Sequence, residues 1–386
     1  MIPFEIVVLL PSPEGALEHQ AGESLRALAT RLEAAGQPDG HVLALTFFVD
    51  ATDPAAYDRQ RSHLATLLAA SFAGPPPPWS VVAQAPEGRR KVALEAAVLV
   101  PPATNVSVQR RTCRGASYTV VTGPTDGVRQ VHGAGIASDA GLEDTVAQAR
   151  DAFARMEAIL RDAGLAFDHV VRQWNYIEGL LDIQADGCGR HQGYQAFNDV
   201  RTLAYETSEF PAGYPAATGI GQAAGGVVLE FLACDAPADV SVVPFSNPRQ
   251  VDAHCYSAGQ LVGESLEDLP RKSTPKFERA KLVARGEEKV TFVSGTAAIV
   301  GERSVAPGDV AEQTRTTIEN IAALIGDRRL SRLRAYVKRA EDIASVRTIC
   351  EAAFGPIPAL YVRADICRDD LLVELEGALV IHAHEA

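Results

Sequence analysis

The chain has 386 residues, of which 47% are hydrophobic and 22% charged, a globular balance with room for two or three domains of roughly 100–200 residues. Its formal net charge of −13 argues against nucleic acid as a partner, because phosphate binding needs a basic face. An anionic small molecule would need a locally basic pocket in this acidic chain.

The opening MIPFEIVVLLPSPEG is apolar but lacks the basic n-region and cleavage site of a signal peptide, and it alternates like a strand. No apolar run approaches the ~20 residues that span a bilayer. The six cysteines, at 113, 188, 234, 255, 350 and 367, form no Cys-x-x-Cys pair and have no histidines at zinc spacing. They read as reduced thiols of a cytoplasmic protein, mostly buried packing residues.

In chain order, ESLRALATRLEAAG (23–36) has apolar residues at helical spacing and a glycine stop. HVLALTFFVD (41–50) reads as a strand, 57–72 as a helix, and WSVVAQ (79–84) and KVALEAAVLV (91–100) as strands. The order then recurs. TVAQARDAFARMEAILRDAG (145–164) leads to HVVRQWNYIEG (169–179), a helix near 193–205, ATGIGQ, and GVVLEFLAC (226–234). It recurs again in TTIENIAALIG (316–326), RLRAYVKRAEDIASVRTICEAAF (332–354) and LYVRADICRDDLLVELEGALV (360–380). Hairpins are expected around 118–137 and 289–304, with little more than an opening strand in the first copy.

Repeats of this length must be recognised before fold is argued. Each unit is α+β, with two helices on one face of a mixed sheet. Three units in one chain predict a single-chain pseudo-trimer with pockets in the clefts between units. The expected divisions are 1–103, 113–240, a connector at 241–284 that contributes to the site, and 285–386. Three separate beads on linkers is the alternative, and the short 101–117 connection disfavours it.

Aligning the last strands sets VALEAAV, VVLEFLA and VELEGAL in register. Glu376 is matched by Glu95 and Glu230, so it reads as architecture. Glu374 is matched by Ala93 and Val228. A carboxylate where its siblings are apolar sits on a face built to be dry, which raises its pKa towards that of a general acid. Strand alternation puts Glu374 and Glu376 on one face, adding like-charge repulsion. A surface glutamate on an edge strand is the plainer alternative.

FVSGTAAIVGERSVAPGDVAEQTRTTIENIAALIG and DDLLVELEGALV resemble the opening and closing segments of a Rid (YjgF-type) unit, a fold whose trimers carry sites between subunits. RQWNYIEG, YQAFNDVR, PAATGIG, NPRQVDAHCY, FERA and ADICRDDLLVELEG, in that order over about 115–386, resemble the chorismatase family. That resemblance implies cleavage of chorismate to pyruvate plus a ring product, with Glu374 as the acid and no metal or organic cofactor. The ring product is a hydroxybenzoate (3-hydroxybenzoate favoured, with 4-hydroxybenzoate as a companion) or 3,4-dihydroxycyclohexa-1,5-dienoate. The expected partner is the small-molecule substrate, without nucleic acid or membrane, in a monomer, with higher oligomers left open.

Chorismate is a dianion, so arginines are expected at its carboxylates. Arg172, Arg201 and Arg279 are the candidates within the motifs, with Tyr194 and Tyr256 as hydroxyl donors. Cys367 and Ala280 occupy positions where the family's branches differ. Cys367 resembles the hydroxybenzoate-forming branch, whereas Ala280 resembles the hydrolytic one. Cys255 departs from the family's usual residue beside the tyrosine, and the stretch 257–276 is longer than the family pattern.

Competing chemistries find less support. GIGQAAGG (219–226) lies between two strands and not before a helix, which excludes a dinucleotide site, and HAHEA at 382–386 is too short for a metal centre. Rid-type imine deaminases carry an arginine just after a proline. Here those places read Pro78-Trp79, Pro215-Ala216 and Pro358-Ala359, which counts against deamination. A non-catalytic small-molecule-binding module remains the third reading.

Overall fold

Strands that are apolar at almost every position need cover on both faces, and the last strand of each expected unit is of this kind. In the computed structural model, residues 2–100, 106–123, 127–186, 189–326 and 328–381 are described; the C-terminal HAHEA, Cys188 and the first expected unit boundary at 103 lie outside them.

The first sheet contains β1 (Phe4–Leu9), β2 (Val42–Val49), β3 (Trp79–Val82) and β4 (Val92–Leu99) in the order β1-β4-β2-β3. The second contains β5 (Ser107–Cys113), β6 (Ala116–Thr122), β7 (Arg129–Ala137) and β8 (Val170–Glu178). After a two-strand ladder of β9 (Ile183–Asp186) and β10 (Gly189–Gln192), it adds β11 (Ala216–Gln222) and β12 (Val227–Asp235), in the order β11-β8-β12-β7-β6-β5. The third contains β13 (Ser241–Phe245), β14 (Ala280–Arg285) and β15 (Glu288–Ala297). A small ladder of β16 (Ile299–Val300) and β17 (Arg303–Ser304) follows, then β18 (Arg332–Val337), β19 (Ala359–Arg363) and β20 (Val373–Ile381). The third sheet's order is β13-β14-β15-β20-β18-β19.

Each sheet therefore contains the same four-strand run, closing strand beside opening strand, with one parallel neighbour beyond. Two helices accompany each: α1 (Leu17–Ala34) and α2 (Pro54–Ser71), α3 (Thr145–Asp162) and α4 (Gly193–Tyr205), α5 (Val310–Ile325) and α6 (Ile343–Phe354). Asp53, Asp144 and Asp309 cap α2, α3 and α5 through backbone N–H groups three residues on, satisfying donors that the first turn leaves free. The cap explains why α5 starts at Val310, six residues before the expected helix. α1 likewise starts at Leu17, ahead of the expected 23.

The third hairpin differs from expectation. Its strands are β14 and β15, over 280–297, and 299–304 forms only the two-residue ladder. The connector at 241–284 is anchored at both ends by strands of the third sheet, as β13 and β14. All five described cysteines are free, and Cys255 is exposed.

Side-chain alternation divides the packing. Val227, Leu229, Phe231 and Ala233 of β12 pack under α3 and α4, and β4 and β20 do the same under their own helices. The opposite faces meet one another. Two further clusters, one around Leu43, Val171, Leu232 and Phe292 and one around Phe48, Trp174, Val228 and Tyr336, each draw residues from all three sheets. The chain is thus one packed body and not a row of beads.

Charge is buried between those inner faces. Glu95, Glu230 and Glu376 stand opposite Thr46, Trp174 and Arg334 at the same register position of their sheets. Each is answered from a different sheet: Glu95 by Arg332 and Arg334, Glu230 by Thr46, and Glu376 by Arg172 at 2.6 Å and the Trp174 indole N–H at 2.8 Å. Arg334 also reaches Glu376 at 3.2 Å and the hydroxyls of Tyr176 and Tyr336 at 3.0 Å. Replacing Arg334 with Ala leaves two buried carboxylates short of their cation, so a loss of about 3–5 kcal/mol is expected in urea unfolding.

Candidate active site

A cavity of about 580 Å³ opens between the second and third sheets. Its floor is made of small residues, Ala217 and Gly219 of β11 and Gly295 and Ala297 of β15. A Cβ on Gly219 would stand 3.0 Å from the Tyr194 ring, and one on Gly295 would stand 2.0 Å from Glu374 Oε1. Glycine at these two places makes room for the two side chains that face the cavity.

Glu374 enters from β20. It is 4% exposed, and no hydrogen bond to its carboxyl occurs among the described residues. Burial pushes its pKa up to about 8, and the neighbouring charge of Glu376 adds to this, while Arg172 and Arg279 oppose it. Glu376, two residues on, has the reverse character. Burial alone would raise it, but Arg334, Arg172 and Arg332, with the Thr218 hydroxyl, hold it down at about 2. One carboxyl is kept protonated and its neighbour is kept ionised, the arrangement that assigns acid and base roles at neutral pH.

The remaining walls come from α4 (Tyr194), the connector (Tyr256, 259–262, Phe277, Arg279), Arg303, and the run Cys367 to Asp370. The 257–276 stretch is pinned to both sheets' units. Ser257 N donates to Glu302 at 2.9 Å, Glu264 N to the Arg190 carbonyl at 2.9 Å, and Ser273 N to Asp199 at 2.7 Å. Residues 259–262 and Pro275 of this stretch thus roof the cavity.

Comparison with known proteins bears on this geometry. Residues 116–233 match the family model described as chorismatase FkbO/Hyg5-like, N-terminal. A 3-hydroxybenzoate synthase of Streptomyces hygroscopicus is 36% identical over 252 residues, covering 60% of this chain and 68% of the relative. A chorismatase of the same species is 34% identical, over 55% of this chain and 62% of the relative. A crystal structure of a chorismatase superposes with a TM-score of 0.68 at 25% identity, covering 98% of both chains. The chain belongs to the chorismatase family.

Set against that membership, the expected site residues fall into two groups. Glu374, Tyr194, Tyr256, Arg279 and Cys367 converge on the cavity. Arg279 lines the cavity, is 3% exposed, and donates to the Val251 carbonyl at 2.5 Å and the Tyr256 hydroxyl at 2.7 Å, while its buried Nε has no partner among the described residues. Burial raises the Cys367 thiol to about 12, so it lines the wall as a neutral group.

Arg172, Arg201 and Ala280 lie elsewhere. Arg172 bonds Glu376 and Thr218 through Nη2 and lies 4.6 Å from the Trp174 ring centroid, its Nη1 has no partner among the described residues, and it is not part of the cavity lining. Arg201 is buried behind α4, bonded to Asn198 and set over Phe197. Ala280 opens β14 and packs into the core with Val293 and Ile321. Two cationic wall residues escaped the sequence reading, Arg303 and Arg368. Both stand inside quoted motifs, and only the fold brings them to the cavity, where Arg368 and Arg279 each lie 5.5 Å from the Tyr256 ring centroid.

The raised pKa of Glu374 has a stability consequence. Between pH 4.5 and about 8 the folded protein holds a proton that the unfolded chain has lost, so this group makes stability fall as pH rises through that window. Glu374→Gln removes the slope. The variant is expected to be more stable than the parent at neutral pH, by on the order of 2 kcal/mol in urea titrations.

Proposed function

We propose that this protein cleaves the enolpyruvyl ether of chorismate, releasing pyruvate, with Glu374 as the general acid. The observation that carries the reading is a buried carboxyl, without a hydrogen-bond partner among the described residues and with its pKa pushed up to about 8, facing a cavity that Arg279 also lines. The 3-hydroxybenzoate synthase and chorismatase relatives support the same reaction class.

The chemistry follows from the substrate. An enol ether is electron-rich at its terminal methylene, so proton transfer from Glu374 to that carbon leaves an oxocarbenium-like neighbour. When water adds there, the bond from that carbon to the ring oxygen breaks and pyruvate departs. When the adjacent ring hydroxyl adds and gives up its proton, its own bond to the ring and the pyruvyl carbon's bond to the ether oxygen both break. Pyruvate then leaves with the hydroxyl oxygen, and the ether oxygen stays on the ring as the phenol. Loss of the proton from the carbon bearing it aromatises the ring while Glu374 regains its proton. The low-dielectric site stabilises the developing charge without solvent rearrangement. Arg279 holds one substrate carboxylate, Arg303 and Arg368 lie placed for the other, and Tyr194 and Tyr256 donate to substrate oxygens. When the ring's own hydroxyl is used, pyruvate and 3-hydroxybenzoate together account for every atom of chorismate. When water is used, the product is the cyclohexadiene diol.

We favour 3-hydroxybenzoate. Cys367 lines the cavity, whereas Ala280, the residue that favoured hydrolysis, faces the core. We read the three sheets as Rid-type units about a pseudo-threefold axis, with units near 1–103, 113–240 and 285–386 and the 241–284 connector roofing the site, working as a monomer in the cytoplasm. Among the described residues, no helix is long and apolar enough to cross a membrane.

The test is incubation with chorismate, with pyruvate assayed and the ring product identified by mass. Pyruvate with 3-hydroxybenzoate is expected. Glu374→Gln should lower kcat at least ~100-fold while leaving substrate affinity near that of the parent, and parent kcat should fall as pH rises through about 8. Arg279→Ala should raise KM. Cys367→Ala should shift product towards the diol; an unchanged ratio would remove the basis for choosing the benzoate.

A further inference from the structure

The ladder between β15 and β20 slips by a residue between Val293 and Thr296, leaving Ser294 and Gly295 opposite Glu376. The ladder between β7 and β12 slips at the matching place, leaving Ala134 and Gly135 opposite Glu230. In each bulge the glycine N–H donates to a hydroxyl of the preceding sheet, Gly135 to Ser80 Oγ at 2.6 Å and Gly295 to Thr218 Oγ1 at 3.0 Å. That bond is common to a cleft with the acid and a cleft without it. The residue before the glycine is not: Ala134 in one, Ser294 in the other.

The Ser294 hydroxyl is fully buried and fully used. It accepts from Ala217 N at 2.9 Å across the cleft and donates to the Glu278 carbonyl at 2.6 Å. Its own N–H donates to the Arg279 carbonyl at 3.1 Å. Ser294 therefore holds the peptide groups on both sides of Arg279 and ties them to β11, whose Ala217 and Gly219 form the cavity floor. Gly295, the next residue, lies against Glu374.

We infer that Ser294 is a positioning residue, whose hydroxyl fixes Arg279 relative to Glu374 across the cleft. The inference rests on the chorismate-cleaving function proposed above. A buried hydroxyl with both bonding directions occupied defines where the guanidinium starts, and a misplacement of about 1 Å in such a group can cost ~100-fold in rate. An alanine would leave the Ala217 N–H and the Glu278 carbonyl without their partner.

A double-mutant cycle in steady-state kinetics with chorismate tests it. Ser294→Ala is expected to lower kcat/KM by about tenfold, mostly through KM. In the Arg279→Ala background the same change is expected to cost less than about twofold, because a residue acting through Arg279 has nothing left to position. Ser294→Cys, which keeps the shape with a weaker donor, should fall between parent and alanine variant, and it carries the test if the alanine variant does not fold. Losses that multiply in the double variant, or Ser294 variants that are folded and as active as the parent, overturn the inference. A parent protein that yields no pyruvate overturns the proposed function, and the inference with it.

Discussion

Three glutamates on the closing strands, Glu95, Glu230 and Glu376, point into the space where the three sheets meet, and each is bonded by a side chain from another sheet. Burying a carboxylate is costly unless a partner stands in a fixed place. The network therefore constrains how the sheets dock, and apolar packing around Phe48, Trp174 and Tyr336 surrounds it. Arg334 is its hub, touching Glu95, Glu376 and two tyrosine hydroxyls.

The same network sets the electrostatics of the site. Glu230 has hydroxyl partners and no direct arginine, and burial raises its pKa. Glu376 has two arginines at contact distance and stays ionised. Glu374 is buried, has the ionised Glu376 beside it and has no hydrogen-bond partner among the described residues, so it keeps its proton. Burial is the main cause, and the negative charge that the arginines fix on Glu376 adds to it, while Arg172 itself pulls the other way. Architecture and electrostatics thus share one set of side chains, Arg172 among them.

Much of this was legible in the sequence because periodicity and repetition are local signals. The helix–strand–helix–strand order, the placing of Glu374 on a dry face and the structural role of Glu376 all came from comparing the chain with itself. What escaped depends on contacts remote in sequence. An arginine in a strand motif looks the same whether it meets a substrate or a glutamate 204 residues away, and the Arg172 contact with Glu376 carries no sequence signal. The direction of Ala280 follows from where β14 begins, and the expected hairpin put that strand elsewhere. Arg303, in the two-residue strand β17, and Arg368, in the turn before β20, reach the cavity from places where spacing carries no signal. Ser294 looked like any small polar residue before a glycine until its bulge was seen.

The central claim is that Glu374 is protonated at neutral pH. Infrared difference spectroscopy of the parent protein against Glu374→Gln, followed over pH, isolates the carboxyl stretch of this one residue. The account predicts a protonated carboxyl band that persists through neutral pH and disappears with a midpoint near 8. A band that is already lost at an ordinary midpoint near 4.5 would contradict it.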